Sequence, residues 1–279
     1  MTQQWRIIDL INWAEVYFKE KNIENARRET EWFLCEVLNC NRIDLYTQFE
    51  KTLSNQELAK FKSFVQRRVK GEPFQQIIEK STFYGRDFFV SKDVLIPRPE
   101  TGVIIDILRQ KPKVNLALEI GTGSGCIAIT MLLENQTEEI IATDISKLAL
   151  DVAKKNAAQH NVDVNFRKHD ILSEKIQSKF DTIISNPPYI ALAEFSDLQA
   201  EVKNYDPKIA LTDMDDGLTF YRKFAELGRT NLNENGFMLF EFAGKNQLAD
   251  IQNIFTSTGY SMKIHNDLQR DPRIIEVSV

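Results

Sequence analysis

The stretch "LALEIGTGSGCIAIT", residues 116–130, decides the fold of this chain. A short apolar run leads into a glycine-rich turn, and a second apolar segment follows from Cys126. The first run has the length of a buried strand, and the second predicts a helix. A strand, a glycine turn and a helix in this order are typical of α/β domains that bind nucleotides.

From Asn115 onward, short apolar runs alternate with helical patterns as far as residue 242. This alternation predicts βαβ units and a mostly parallel sheet with helices on both faces. The last two runs, "YSMKIHND" (260–267) and "RIIEVSV" (273–279), lie too close together for a crossover helix. They predict an antiparallel hairpin at the edge of the sheet.

The part before this domain has a different pattern. Residues 1–75 are predicted to form a small helical bundle, and alternating aromatic residues around Gly85 predict a β-hairpin linker over residues 76–98. The cluster Arg67, Arg68 and Lys70 is either a solvated helix end or a contact for a nucleic acid or an acidic partner. The α/β domain is expected over residues 99–279.

Bulk composition narrows the class of protein. With 279 residues, of which 43% are hydrophobic, the chain can bury a large core. A net charge of −5 argues against a dedicated nucleic-acid binder, so no stable nucleic-acid partner is expected. No signal peptide or membrane span is evident. Three cysteines without a CxxC motif and three histidines without metal-like spacing predict a cytoplasmic protein without a metal site.

The glycine turn indicates the kind of ligand. The dinucleotide fingerprint is G-x-G-x-x-G, but here Gly125 comes one residue early, after Gly121 and Gly123. Glu119, two residues before the first glycine, would repel a pyrophosphate and suits a ligand with a cationic amino group. The alternative is a glycine-rich turn that binds no ligand.

Two more carboxylates follow predicted strands. Asp144, just over 20 residues after Gly121, is placed to accept both hydroxyls of a ribose. Asp170 is placed to accept an adenine amino group, and Ile171 to pack on the adenine ring. Each aspartate has a purely local alternative as a cap. Together these residues predict a site for an adenosine with a charged amino-acid tail, and S-adenosylmethionine fits it better than NAD.

A fourth strand stops abruptly in "DTIISNPPYIA", residues 181–191. The Asn186 side-chain carbonyl and the Pro187 backbone carbonyl can accept the two N–H groups of a planar NH2 group, while Tyr189 offers a face for stacking. Two acceptors select an NH2 group over a hydroxyl and stabilise the positive charge that develops on its nitrogen during methyl transfer. The alternative is a strand-ending turn with a core tyrosine.

These motifs in this order resemble the class I S-adenosylmethionine-dependent methyltransferases that modify planar NH2 groups. "NPPY" is shared by enzymes that methylate the adenine amino group in DNA and by enzymes that methylate a glutamine amide in proteins. The flanking segments resemble the release factor glutamine methyltransferases, the PrmC/HemK family. They are "VLIPRPET" (94–101), "YDPKIAL" (205–211), "DGLTFYRKF" (216–224), "FEFAGKNQ" (240–247) and "DLQRDPRIIEV" (267–277).

This resemblance implies a Rossmann-like seven-stranded sheet behind a small all-α domain that docks substrate. It implies methyl transfer from S-adenosylmethionine, which leaves S-adenosylhomocysteine, to the glutamine of the Gly-Gly-Gln motif of bacterial peptide chain release factors. The alternative is an adenine-amino methyltransferase acting on DNA or RNA, and a non-enzymatic binding module is the third possibility. The residues implied to contact the cofactor are Glu119, Gly121, Thr122, Gly123, Ser124, Gly125, Asp144, Asp170, Ile171 and Asn186. The substrate glutamine is implied to lie on Asn186, Pro187, Pro188 and Tyr189, with Asn186, Pro187 and Tyr189 as the catalytic residues.

Two positions depart from the family pattern. Gly102 stands where the family often has a glutamate, so any contact made by that side chain is absent. Ile171 stands where an aromatic residue is common, which predicts looser stacking on the adenine. The segment "IPRPE" (96–100) is expected either to brace the lid of the pocket or simply to lead into a helix from about Glu100 to Arg109.

Overall fold

A computed structural model describes residues 4–278, so residues 1–3 and 279 of the predicted domains lie outside it. The chain divides into two compact units between Lys80 and Ser81. The boundary comes later than residue 75, because a short helical turn, Phe74–Ile77, extends the first unit.

The first unit is entirely helical and has its own apolar core. The core is built from Leu10, Phe18, Phe33 and Phe61, which are fully buried. Ser54 begins the fourth helix with a capping box in which Glu57 returns a hydrogen bond, as the spacing of these residues predicts. The helices are α1 (Ile7–Glu20), α2 (Ala26–Leu38), α3 (Arg42–Thr47), α4 (Asn55–Val69) and α5 (Phe74–Ile77).

Two arginines of the basic cluster bind within this helical unit. The Arg67 guanidinium donates to Glu72 and to the carbonyl oxygens of Gln76 and Ile77. Arg68 donates to Glu29 at 2.7 Å. These contacts tie the end of α4 to the chain that follows it and to α2, which is a local structural role for both side chains.

The second unit contains a hairpin and a seven-stranded sheet with helices. The strands are β1 (Lys80–Phe83), β2 (Arg86–Phe89), β3 (Val114–Ile120), β4 (Thr137–Asp144), β5 (Asn165–Lys168), β6 (Phe180–Ser185), β7 (Leu232–Glu241), β8 (Ser261–Asn266) and β9 (Pro272–Ser278). The helices are α6 (Val103–Leu108), α7 (Cys126–Leu133), α8 (Lys147–His160), α9 (Ala200–Tyr205), α10 (Lys208–Leu211), α11 (Thr219–Asn231) and α12 (Lys245–Thr256), with 3₁₀ helices at Pro99–Gly102 and Leu192–Asp197.

The large sheet has the order β5-β4-β3-β6-β7-β9-β8. Strands β3 to β7 pair in parallel, and β9 is antiparallel to both β7 and β8. The predicted α/β class, the mostly parallel sheet and the antiparallel hairpin at its edge are therefore confirmed. The chain builds outward from β3 to β5 and then returns to the other side of β3 with β6, so the strand order reverses between β3 and β6.

Both faces of the sheet are covered, which explains why its strands are apolar on successive residues. Ala117 of β3 packs into the core beneath α6, α7 and α8, whereas its neighbour Leu118 packs into the core beneath α11 and α12. In the second core, Phe224 of α11 stacks on Phe240 of β7 with ring centroids 4.1 Å apart. Such aromatic pairs contribute about 0.5–1.5 kcal/mol beyond the area they bury.

Apart from Lys80, the β1–β2 hairpin falls within the second unit. Phe83 and Phe88 are buried in the same core as Ile104 and Ala128, which fixes the hairpin on the sheet's helical layer. The segment after it differs slightly from the predicted helix over residues 100–109. A 3₁₀ turn over Pro99–Gly102 precedes α6, and Pro99 lies in its first turn, where the missing N–H group costs no hydrogen bond.

Candidate active site

A cavity of about 270 Å³ opens at the carboxyl ends of the parallel strands. It lies where the strand order reverses, between β3 and β6, which is where open α/β sheets bind ligands. The predicted site residues that line it are Glu119, Gly121, Thr122, Gly123, Ser124, Asp144, Asp170, Ile171, Asn186, Pro187 and Pro188. The tertiary structure therefore brings residues from four strand ends to one cavity.

The glycine loop connects β3 to α7 by a backbone path that favours glycine. Gly121, Gly123 and Gly125 have φ values of 73°, 54° and 79°, in the left-handed region. The amide groups of Gly121 and Thr122 both donate to the carbonyl oxygen of Thr143, which anchors the loop to β4. The backbone of the loop can therefore come close to a ligand.

Gly125 has a different place from the one the sequence suggested. It is absent from the described lining of the cavity and instead faces helix α8. A Cβ atom at this position would lie 3.1 Å from both Ala153 Cβ and Ile129 Cδ1. Its small size lets α7 pack closely on α8, and a direct cofactor contact for Gly125 stays a prediction.

Glu119 is a buried carboxylate beneath the glycine loop. Its Oε2 atom accepts hydrogen bonds from Thr122 Oγ1 at 2.7 Å and from the Ala128 amide at 3.1 Å. Its Oε1 atom has no partner within the described part of the chain. Burial raises the pKa of Glu119 to about 8, although both hydrogen bonds act in the opposite direction. A cation beside it would favour the ionised form.

Asp144 joins the glycine loop to the end of β4. Its Oδ1 atom accepts from the Ser146 amide at 2.9 Å, and its Oδ2 atom accepts from the Gly123 amide at 2.9 Å. Burial raises the pKa of Asp144 above its ordinary value, and these backbone hydrogen bonds counteract the rise. Each oxygen has a second lone pair, so the carboxylate can still accept two hydroxyl groups of a ligand.

Asp170 is more strongly engaged by its own turn. Its two carboxylate oxygens accept from the Leu172 amide at 3.0 Å and from Ser173 Oγ at 2.7 Å. The Ser173 hydrogen bond lowers the pKa of Asp170, which keeps it ionised. Asp170 thus caps its own turn and also lines the cavity, as the two alternatives from the sequence predicted. Ile171 beside it is buried and also lines the cavity.

The "NPPY" segment begins where β6 ends. The preceding Ser185 donates to the Ile120 carbonyl oxygen at 2.7 Å and so ties the ends of β6 and β3 together. Asn186 follows with its Nδ2 atom 3.2 Å from Thr101 Oγ1. Pro187 and Pro188 continue the cavity wall with a backbone that cannot extend the ladder.

The Tyr189 side chain packs against the core of the second unit. It is absent from the described residues that line the cavity, and its ring packs partly into the core of α11 and β7. Its hydroxyl lies 3.4 Å from Glu241 Oε1, and its carbonyl oxygen accepts from Gln247 Nε2 at 2.6 Å. Stacking of Tyr189 on a substrate therefore stays a prediction, while its position supports the turn from beneath.

Two residues beside Asn186 received no role from the sequence. Thr101 lines the cavity, and its hydroxyl donates to Glu241 Oε2 at 2.6 Å. Glu241 is 2% exposed, and burial raises its pKa to about 7. The sequence signal for Glu241 is an acid near the end of the apolar run "FMLFEF", similar to the position of Glu119 in "LALEI".

The "IPRPE" segment is held by an ion pair that the sequence did not predict. Arg98 lines the cavity and binds Asp206 at 2.7 Å. Asp206 is buried, so this ion pair fastens the segment before the 3₁₀ turn to the loop between α9 and α10. The brace expected from the sequence is consistent with this ion pair.

Comparisons with known proteins agree with this architecture. Residues 9–78 match the family model of the PrmC N-terminal domain, and residues 99–203 match that of the methyltransferase small domain. A release factor glutamine methyltransferase of Geobacter sulfurreducens is 38% identical over 92% of this chain and 90% of its own length. The chain belongs to the release factor glutamine methyltransferase family.

Other members of this family are similarly related. The release factor glutamine methyltransferase of Bacillus subtilis is 36% identical over 96% of both chains. A crystal structure of a methyltransferase from Pyrococcus furiosus aligns with a TM-score of 0.54 and 20% identity, covering 70% of this chain and 91% of that one. That likeness concerns the fold alone.

The helices within residues 4–278 are each too short or too polar to span a membrane.

Proposed function

We propose that this chain transfers a methyl group from S-adenosylmethionine to the side-chain amide nitrogen of the glutamine in the Gly-Gly-Gln motif of bacterial peptide chain release factors. The observation that supports this most strongly is the relationship to release factor glutamine methyltransferases along nearly the whole chain. Release factors are accordingly the proposed partner, and S-adenosylhomocysteine the second product.

The cavity offers hydrogen-bond acceptors and an apolar wall that suit this cofactor. One buried oxygen of Glu119 has no hydrogen-bond partner among residues 4–278, and a cationic amino group suits it. Asp144 offers free lone pairs for ribose hydroxyls, and Asp170 with Ile171 offers a polar and an apolar contact for an adenine. Bound there, the cofactor supplies an electrophilic methyl group on a sulfonium.

Asn186 and Pro187 would bind the substrate amide. The nitrogen of an amide is a weak nucleophile because its lone pair is delocalised, so catalysis depends on holding it in line with the methyl group. The Asn186 Oδ1 atom and the Pro187 carbonyl oxygen would each accept one N–H of the substrate. They would also stabilise the positive charge that develops on its nitrogen, and the amide proton leaves to solvent afterwards.

The test is mass spectrometry of a purified release factor after incubation with enzyme and S-adenosylmethionine. We expect one added methyl group on the glutamine of the Gly-Gly-Gln motif, and about 10²-fold slower transfer by Asn186→Ala, by analogy with removal of one preorganised group. A release factor in which that glutamine is replaced by glutamate serves as the substrate control. No methyl group on the glutamine, or transfer of labelled methyl to DNA or RNA alone, would overturn the proposal.

A further inference from the structure

A chain of three side chains leads from the cavity into the core of the second unit. Asn186 Nδ2 lies 3.2 Å from Thr101 Oγ1, and this hydroxyl lies 2.6 Å from Glu241 Oε2. The residues come from the turn after β6, the 3₁₀ helix and the end of β7. Only the first of them belongs to the "NPPY" segment.

The carboxylate sets the direction of this chain. An ionised carboxylate only accepts hydrogen bonds, so the Thr101 hydroxyl proton is directed at Glu241. The Thr101 oxygen can then only accept, which requires the NH2 end of the Asn186 carboxamide to face it. The carbonyl end, Oδ1, is left for the cavity that Asn186 lines.

The opposite orientation of Asn186 would oppose the proposed reaction. Its NH2 group would then face the NH2 group of a substrate amide, and two donors cannot bond to each other. We propose that Glu241 is a positioning residue which, through Thr101, fixes the Asn186 carboxamide with its oxygen toward the substrate. This inference rests on the proposed function and adds two residues to it.

The cost of burying Glu241 supports a functional reason for it. A carboxylate that is 2% exposed is unfavourable unless it is hydrogen-bonded, and the Tyr189 hydroxyl on its other oxygen is a long 3.4 Å away. The charged groups that act on it are Arg273 of β9 and Glu100. The nearby hydroxyl of Tyr221 on α11 donates to its backbone carbonyl at 2.7 Å. An apolar side chain at position 241 would be buried at a lower cost in free energy.

Thr101 allows a matched test of the chain. Thr101→Val keeps the shape and removes the acceptor for Asn186, so we expect kcat to fall about tenfold or more while the Kd for S-adenosylmethionine changes less than twofold. Thr101→Ser restores the hydroxyl and should recover most of the lost kcat. Thr182→Val is the control, since Thr182 is buried in β6 and its hydroxyl has no hydrogen-bond partner in the described structure.

The pH dependence of kcat tests Glu241 itself. With both substrates saturating, kcat of the wild type should rise as pH passes about 7, because the ionised form orders the chain. Glu241→Gln can present either a donor or an acceptor to Thr101, so its kcat should be lower above pH 7 and should not rise there. If Glu241 had a purely structural role, kcat of Glu241→Gln would still rise as pH passes about 7.

The outcomes separate the two proposals. A wild type that does not methylate the glutamine would overturn the proposed function. A wild type that does, together with Thr101→Val at wild-type kcat or Glu241→Gln with the wild-type pH profile, would overturn the positioning role alone. Should Glu241→Gln fail to fold, the comparison of Thr101→Val with Thr101→Ser decides the question.

Discussion

The amide nitrogen of Gly123 lies 2.9 Å from Oδ2 of Asp144, so the glycine loop and the end of the neighbouring strand share one carboxylate. The other oxygen of Asp144 binds the start of α8 through Ser146. A single side chain therefore sets the separation of two loops that border the cavity.

Asp144→Asn is expected to weaken S-adenosylmethionine binding by about tenfold or more. The new NH2 group would face either the Gly123 or the Ser146 amide, which removes one hydrogen bond and leaves one donor opposed to another. Calorimetric titration measures the change. Asp151→Asn, on the exposed side of α8, is the matched control and should bind as the wild type does. Equal affinities for the two variants would contradict the ribose role of Asp144.

Cofactor affinity is expected to increase as pH rises toward about 8, because burial raises the pKa of Glu119 to about that value. Below pH 8, the Glu119 carboxyl group of the ligand-free protein is mostly protonated. Binding of a cationic amino group beside it must release that proton. Titration in buffers of different ionisation enthalpy measures the proton released.

Two comparisons identify the group responsible for this proton. Glu119→Gln should bind more weakly and release no proton. Methylthioadenosine, which lacks the amino-acid tail, should bind the wild type with little dependence on pH. If methylthioadenosine showed the same pH dependence as S-adenosylmethionine, Glu119 would not be the partner of the amino group.

Gly217→Ala is expected to slow methyl transfer while sparing cofactor binding. Gly217 has a φ of 81°, and a Cβ there would collide with the Tyr189 carbonyl oxygen and lie 2.8 Å from Gln247 Nε2. The turn that carries Asn186 must then shift, and the backbone strain costs roughly 1–3 kcal/mol of stability.

Gly259→Ala is the control that distinguishes backbone strain from displacement of the turn that carries Asn186. Gly259 has a similar φ of 84°, but a Cβ there meets nothing within 4 Å. Both variants should lose stability in denaturant unfolding, and only Gly217→Ala should lose kcat. Equal kcat values would show that the contact with Tyr189 does not position the site.

Glu241→Gln is expected to stabilise the fold at pH 8 by up to about 3 kcal/mol. In the wild type, burial raises the pKa of Glu241 from its ordinary value of 4.5 to about 7. The native state therefore binds this proton more tightly than the unfolded chain does. The free energy of unfolding of the wild type therefore falls as pH rises from 4.5 through 7. Urea unfolding at pH 5 and pH 8 measures this, and the advantage of the variant should be smaller at pH 5.

Glu276→Gln provides a control of opposite sign. Burial alone would raise the pKa of Glu276, but hydrogen bonds from Lys111 and His265 bring it below the ordinary value. Its ionised form is thus favoured by folding, and Glu276→Gln should destabilise the protein at pH 8. If both variants changed stability in the same direction, burial would not be the cause of the Glu241 effect.

Local patterns in the sequence predicted most of the second unit. Strand and helix periods depend on nearby residues, and polar residues at strand ends are visible without coordinates, so the order of elements and the cavity positions of Asp144 and Asn186 followed from the chain itself. Gly125 and Tyr189 were assigned to the ligand because they stand inside motifs. What surrounds Gly125 and where the Tyr189 ring points depend on the packing of α8, α11 and β7, which a motif does not contain, so both ligand assignments stay predictions.

Residues adjacent along the chain were enough to predict the α/β architecture and to suggest an NH2 group as the proposed substrate, because both inferences rest on short motifs. Tertiary structure alone decided what holds Asn186 in place. Thr101 is 85 residues from Asn186 and 140 from Glu241, and they meet because β6 and β7 pair beneath the 3₁₀ turn. A hydrogen-bond chain closed across such distances has no local period, so only the packed sheet reveals it.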